Sequence, residues 1–129
     1  MGVVAVSADT ECVILNAPLE PNINHRETVF GGSAASVAML AGWSLMRIRL
    51  GAERIDCRIV ISKGSIDFGK AIEGEFTASA RLADPDDWER FTAGYARKGM
   101  ARTKVDVSVE SAGKQVAQFT GVFAAVRHD

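Results

Sequence analysis

Neither sign of charge is in excess in this chain: 15 lysines and arginines stand against 16 aspartates and glutamates, leaving a formal net charge of -1 and a pI of about 6.1. A nucleic-acid binder would show a basic excess on one face, so nucleic acid is not an expected partner. Cysteine is scarce. Cys12 and Cys57 each sit in an apolar run with no second Cys or His at metal-ligand spacing, which predicts two buried free thiols rather than a disulfide or a metal site and fits a reducing compartment. The start, Met1-Gly-Val-Val-Ala-Val-Ser-Ala-Asp9, lacks the basic region of a signal peptide, and Val6 stands where a myristoylation signal wants Ser or Thr. The longest apolar segment is broken by Arg47 and Arg49 and falls short of the ~20 residues that span a bilayer. A cytoplasmic protein with no membrane partner, no metal and no cofactor is expected. Repeats, linkers and low-complexity tracts are also missing, so 129 residues at 47% hydrophobic predict one domain over 1–129 with a real core.

What the chain does have is a polar loop, Ala17-Pro-Leu-Glu-Pro-Asn-Ile-Asn-His-Arg-Glu-Thr-Val-Phe30, that empties through Gly31-Gly32 into a long apolar segment. Apolar residues from Ala34 to Ile48 cover almost the whole circumference of a helix, a pattern that requires the helix to be surrounded. The predicted helix runs from about Gly32 to Leu50, with Arg47 and Arg49 complementing its negative end and Gly51 as the C-terminal cap. Amides at its start face a polar loop, a place to hold a developing negative charge.

The remainder reads mostly as strand. Ile55 to Ser62 alternates, and Ser65 to Phe68 continues it after a bulge or bend at Lys63-Gly64. Glu75 to Leu82 alternates as well. In Met100 to Glu110, Ala101, Thr103, Val105, Val107 and Val109 oppose Arg102, Lys104, Asp106, Ser108 and Glu110. A turn at Ser111–Lys114 returns the chain as a strand from Gln115 to Val126, making a hairpin. Between these, Asp84 can cap and Pro85 start a short helix on which Trp88, Phe91 and Tyr95 share a face. One or two N-terminal strands, a long buried helix and four or more mostly antiparallel strands are satisfied together by one curved sheet wrapped around one helix. This α+β layout is the hotdog arrangement.

The residues also carry a resemblance. Pro18-Leu-x-Pro-Asn-x-Asn24, Phe30-Gly-Gly-Ser33 and Ala41-Gly-Trp43 resemble a bacterial thioesterase-like family that occurs alone and as the C-terminal half of acetyltransferase fusions. More widely, the chain is similar to hotdog acyl-CoA thioesterases, whose signature is an Asn followed seven positions later by the first glycine of a pair, the spacing of Asn24 and Gly31. The resemblance covers nearly the whole chain, including Gly74-Glu75 and the basic segment before Met100. It implies that the Gly31 or Gly32 amide polarises a thioester carbonyl, an electrostatic contribution of ~3 kcal/mol per donor, and that Asn24 orients the attacking water or the thioester. Turn closure by Asn24 and tight packing at Gly-Gly are the competing structural explanations.

One departure from the resemblance stands out. Better-known members place an Asp or Glu eight residues after that glycine as base or nucleophile; here the position is Met39. Ser36, one turn earlier, could bind water, although an unactivated hydroxyl is a poor nucleophile. His25, Glu27 and Asp67 remain as general-base candidates. Similar thioesterases bind coenzyme A phosphates with basic residues where Arg97, Lys98 and Arg102 stand, against the alternative of a solvated basic rim. Trp43, Trp88 and Phe91 are expected in the core or along an acyl tunnel.

The expected protein is therefore a hotdog homodimer or dimer of dimers that hydrolyses an acyl thioester, with coenzyme A as the implied carrier. Asn24, Gly31, Gly32 and Ser36 are the catalytic candidates, and Ser33, Ser62, Arg97, Lys98 and Arg102 the substrate-binding ones. The site is expected between Asn24–Ser36 of one chain and the strand near Ser62–Ser65 of the other. A non-catalytic acyl-CoA binding module and a hotdog dehydratase are the alternatives; the dehydratase would want a His paired with a helix carboxylate, which the helix lacks.

Overall fold

The structure, a computed structural model, describes residues 2–18 and 31–128. Two short strands, β1 (Val4–Ala8) and β2 (Val13–Ala17), precede the long helix α1 (Gly31–Ala52); β3 (Arg58–Phe68) and β4 (Phe76–Leu82) follow. Helix α2 (Trp88–Lys98) then leads into β5 (Met100–Ser111) and β6 (Lys114–Val126). The strands form one antiparallel sheet in the order β1-β2-β4-β5-β6-β3. This is the hotdog arrangement expected from the pattern.

Period-two alternation decides which face of each strand meets α1. Val105, Val107 and Val109 of β5 are buried, as are Phe76, Ala78 and Ala80 of β4 and Val13, Leu15 and Ala17 of β2. They pack with Val37, Ala38, Ala41, Leu45 and Met46 of α1, each large side chain contributing ~1.5–3 kcal/mol by leaving water. Gly42 allows this approach: a methyl group there would lie 2.8 Å from the Phe123 ring.

Among the described residues, the helix is not surrounded within one chain. Leu40, on a helix expected to be surrounded, and Trp43, expected in the core or along an acyl tunnel, are 40% and 41% exposed, because the sheet covers only one side of α1. The helix also runs to Ala52, about 33 Å at 1.5 Å per residue, and Gly51 lies in its last turn rather than capping it. The left-handed residue is Arg54 (φ 57). Its amide donates to the Gly51 carbonyl at 3.0 Å while that of Ile55 donates to Leu50 at 2.9 Å, a Schellman closure. Ile55 packs on the core beyond it.

Two strand details also depart from expectation. β3 begins at Arg58, leaving Ile55 to Cys57 outside it, and it runs unbroken to Phe68. The bulge falls on Ser62: Ile61 pairs with Phe123 and Lys63 with Val122, so Ser62 has no opposite number. Asp84 accepts from the Asp86 amide at 3.1 Å and opens a 3-10 turn, Pro85–Asp87, that feeds α2. Trp88 and Phe91 are buried as expected, and Gly99, left-handed at φ 75, closes α2. Cys12 and Cys57 are free; Cys12 is buried and Cys57 only partly so, where partial burial pushes its thiol pKa up.

Candidate active site

Four glycine and small residues, Gly31-Gly-Ser-Ala34, open α1, and no acidic side chain stands in this first turn. An α-helix leaves the amides of its first turn without intrahelical acceptors, and the helix dipole adds partial positive charge there. A helix start without its own carboxylate keeps that field available to an outside oxyanion. The Phe68 ring, 51% exposed at the end of β3, lies beside this start, 3.4 Å from where a Gly31 methyl would be. A cleft of about 380 Å³ lined by Gly31 and 68–72 opens next to it.

One and two turns further along α1, Ala35 and Met39 line a second cavity of about 350 Å³. Its other described walls are 61–66 of β3 and Phe119 of β6. Ser62, named from sequence as a substrate contact, stands here because the bulge turns it out of the strand alternation; its hydroxyl donates to the Val122 carbonyl at 3.2 Å. The second and third turns of α1 and the strand near Ser62 thus meet within one chain.

The remaining candidates are distributed as follows. Asn24, His25 and Glu27 lie outside the described residues. Ser33 is partly buried in the first turn. Ser36, also partly buried, is a turn before Met39 but shares its helix face with Leu40 and Trp43, and it is not among the described lining of the 350 Å³ cavity. Asp67 lines a separate hollow of about 240 Å³ with Gln115–Gln118. Arg97 and Lys98 end α2 and Arg102 lies on β5, all three exposed.

Register measures how far this basic group is from the helix start. Arg102 is opposite Ala124, and Ala124 is opposite Val60, eight residues before the Phe68 that touches Gly31. At ~3.3 Å per residue that is roughly 25 Å, so one chain does not place the basic segment beside its own Gly31. Sequence reasoning missed Phe68, Ile61, Ile66 and Phe119 as walls, and took Met39 only as an absent acid. Their apolar or small character gave no chemical signal; only the pairing of β3 with β6 brings them together.

Residues 1–127 match the model of the family described as "Putative thioesterase (yiiD_Cterm)". The chain belongs to this family. A protein of unknown function from Chlorobaculum tepidum has a similar structure, with TM-score 0.91 and 30% identity over 99% of this chain and 84% of that one. A putative thioesterase from Shewanella oneidensis follows at TM-score 0.86 and 26% identity over 98% and 85%. A probable thioesterase from Pseudomonas aeruginosa shares the fold at TM-score 0.85 and 20% identity over 98% and 84%. Thioester hydrolysis is the chemistry by which this family is described. No helix among the described residues is long and apolar enough to cross a membrane.

Proposed function

We propose that this protein hydrolyses acyl-CoA or related acyl thioesters. Water adds to the thioester carbonyl, the C–S bond breaks, and a carboxylic acid and a free thiol leave. The observation that carries this reading is a cavity with Ala35, Met39, Ile61, Ile66 and Phe119 among its walls, beginning one turn beyond a helix start whose first turn holds no acid of its own. A carbonyl oxygen at the Gly31 and Gly32 amides would gain negative charge in the transition state, where one such donor contributes ~3 kcal/mol. Asn24 orients the water or the thioester in this scheme. Ser33 and Ser36, in the first two turns, are the nearest helix hydroxyls, Ser62 borders the acyl end, and His25, Glu27 and Asp67 are the candidate bases.

A homodimer completes the proposal. β3 is an eleven-residue edge strand with Val60, Ile61 and Phe68 exposed, a ready template for pairing. Exposed Leu40 and Trp43 on α1 give a second copy an apolar face to cover. Antiparallel pairing of two β3 strands would set the Arg58 end of one beside the Phe68 end of the other. That brings Arg97, Lys98 and Arg102 of the second copy toward the first copy's Gly31, where they would hold the phosphates of coenzyme A. The protein acts, in this reading, as a single-domain cytoplasmic enzyme.

Hydrolysis of a panel of acyl-CoA and acyl-pantetheine thioesters, followed by thiol release, tests the activity. Turnover well above the uncatalysed rate, lowered at least about tenfold by Asn24→Ala, is expected. The described lining of the 350 Å³ cavity has neither carboxylate nor imidazole, the observation that favours a non-catalytic binding module; binding of a thioester without any hydrolysis would establish that alternative. Hydration of an enoyl thioester would instead identify a dehydratase. Light scattering showing a monomer at micromolar concentration would overturn the dimer.

A further inference from the structure

The outer face of the sheet, turned away from α1, is divided into two unlike halves. Thr103 of β5 and Phe123 and Ala125 of β6 point inward and are buried, so the residues alternating with them point outward. Across β5, β6 and β3, Lys104 pairs with Val122 and Val122 with Lys63; the next row is Arg102, Ala124 and Val60. A third row, Met100, Val126 and Arg58, ends the block, which measures about 10 Å across the strands and about 13 Å along them. Its cations stand in the two outer columns, and valine and alanine fill the middle one. Ala124 is only 3% exposed although it is not part of the core around α1: long side chains in the flanking columns shield it while their charged ends reach water. Val60 and Met100 are 39% and 40% exposed.

The other half of this face is polar and satisfies its own groups. Thr120 donates to the Asp106 carboxylate at 3.2 Å, and Gln115 donates to Ser108 at 3.2 Å and to Gln118 at 2.6 Å. The block itself holds no carboxylate. Asp106 lies one row beyond it, and Asp56, two residues before Arg58, is held by His128 at 3.0 Å. Lys63, Arg102 and Lys104 have no ion pair among the described residues. The chain's balanced charge conceals this patch, because only the fold gathers the cations onto one half-face. We infer that the block docks the protein on an anionic lipid bilayer, a membrane partner the sequence did not lead us to expect. Apolar residues flanked by Lys and Arg suit the boundary between headgroups and acyl chains, where the stems are buried and the charges meet lipid phosphates. A partner protein fits this surface less well. Lysine is depleted from protein interfaces, and a sheet bent around α1 presents outward a convex face without the groove that seats a helix. The inference is independent of the thioester chemistry.

Cosedimentation of the full chain with lipid vesicles tests it. Binding to phosphatidylcholine vesicles carrying about 30% phosphatidylserine should exceed binding to phosphatidylcholine alone at least about tenfold, and should weaken as salt is added. Lys63→Gln with Lys104→Gln, neither among the residues proposed for coenzyme A, should lower affinity for the anionic vesicles at least about tenfold, each cation contributing about fivefold. Lys70→Gln with Lys114→Gln removes the same charge at the other end of the sheet, where β3 ends and β6 begins, and should leave that affinity unchanged. Met100→Ser should weaken it by removing exposed apolar surface. Circular dichroism checks each fold; if one block variant does not fold, the other decides. No preference for anionic vesicles, or equal losses in the two lysine pairs, overturns the assignment. Wild-type binding to poly-glutamate as tight, charge for charge, as to the vesicles would make the block a site for an acidic protein and overturn it as well. So would light scattering, without vesicles, of an assembly larger than a dimer that the block variants break up, since a second copy would then cover this face.

Discussion

The guanidinium of Arg49 lies over the ring of Trp88, 4.4 Å from its centroid, and joins the end of α1 to the start of α2. The same side chain donates to the Thr10 carbonyl in the turn between β1 and β2, while the Trp88 indole N–H donates to the Glu53 carboxylate. Three segments distant in sequence are held by one cation. Arg49→Lys keeps the charge but loses the planar stack and the fork that reaches Thr10. A cation–π contact of ~0.5–1 kcal/mol and a hydrogen bond of ~1 kcal/mol predict a loss of about 1–2 kcal/mol. Urea unfolding of the two proteins measures it, and an unchanged midpoint would mean the stack contributes nothing.

Arg54 and Ala112 are non-glycine residues in the left-handed region, at φ 57 and φ 53. A side chain there costs ~1 kcal/mol or more, part of which glycine returns through its more flexible unfolded chain. Arg54→Gly and Ala112→Gly should each stabilise by about 0.5–1 kcal/mol and add in the double variant, since one ends a helix and the other turns a hairpin. Calorimetry should show Tm higher by roughly 2–4 °C per change. A lower Tm for either would show that its side chain makes contacts stronger than its backbone strain.

Asp87 accepts from the Arg90 Nη2 at 2.8 Å and from the hydroxyl of buried Thr103 at 3.2 Å. The Arg90 hydrogen bond, aided by Thr103, holds the Asp87 pKa below its ordinary 3.8 against a smaller opposing effect of desolvation. A depressed folded pKa means the unfolded chain binds the proton first, so this contribution is complete above the ordinary value and is lost as pH falls below it through the folded pKa. Asp87→Asn should therefore lower stability at neutral pH and flatten its decline below about pH 4. Urea midpoints across that range check it; identical acid profiles would remove Asp87 from the account.

Reversing two exposed charges, Arg97→Glu with Lys98→Glu, should raise KM for acyl-CoA severalfold while sparing acyl-pantetheine, which lacks the nucleotide phosphates. Contacts remote from the reacting carbonyl supply largely uniform binding, which enters KM rather than kcat. The effect should shrink with added salt, because exposed charges are screened over ~8–10 Å at ordinary ionic strength. Equal losses on both substrates would indicate damage to the fold, and no loss on either would return this segment to a solvated rim.

The elements were legible in the chain wherever a period governs burial. Val105, Val107 and Val109 alternate with charged and polar neighbours in one strand, and the apolar run from Ala34 to Ile48 has no other use than a helix against a sheet. Local chemistry also marked the Asp84-Pro85 start before α2 and the turn after Ser111. These signals are short-range, fixed by side-chain direction and capping within a few residues, so the sequence alone determined the fold class and where the long helix begins.

Tertiary structure decided the rest. Gly51 looked like the end of α1, yet packing of Ile55 on the core carries the helix to Ala52 and forces Arg54 into the left-handed conformation. The bulge settled on Ser62 rather than Lys63-Gly64 because register belongs to the partner strand β6 and not to β3 alone. The sheet covers one side of α1, which leaves Trp43 exposed despite its apolar surroundings in sequence. Gly64, Phe119 and Met39 became walls of one cavity only when β3, β6 and α1 packed together: a cavity is a relation among surfaces far apart along the chain, and no local pattern of residues encodes the distance between them.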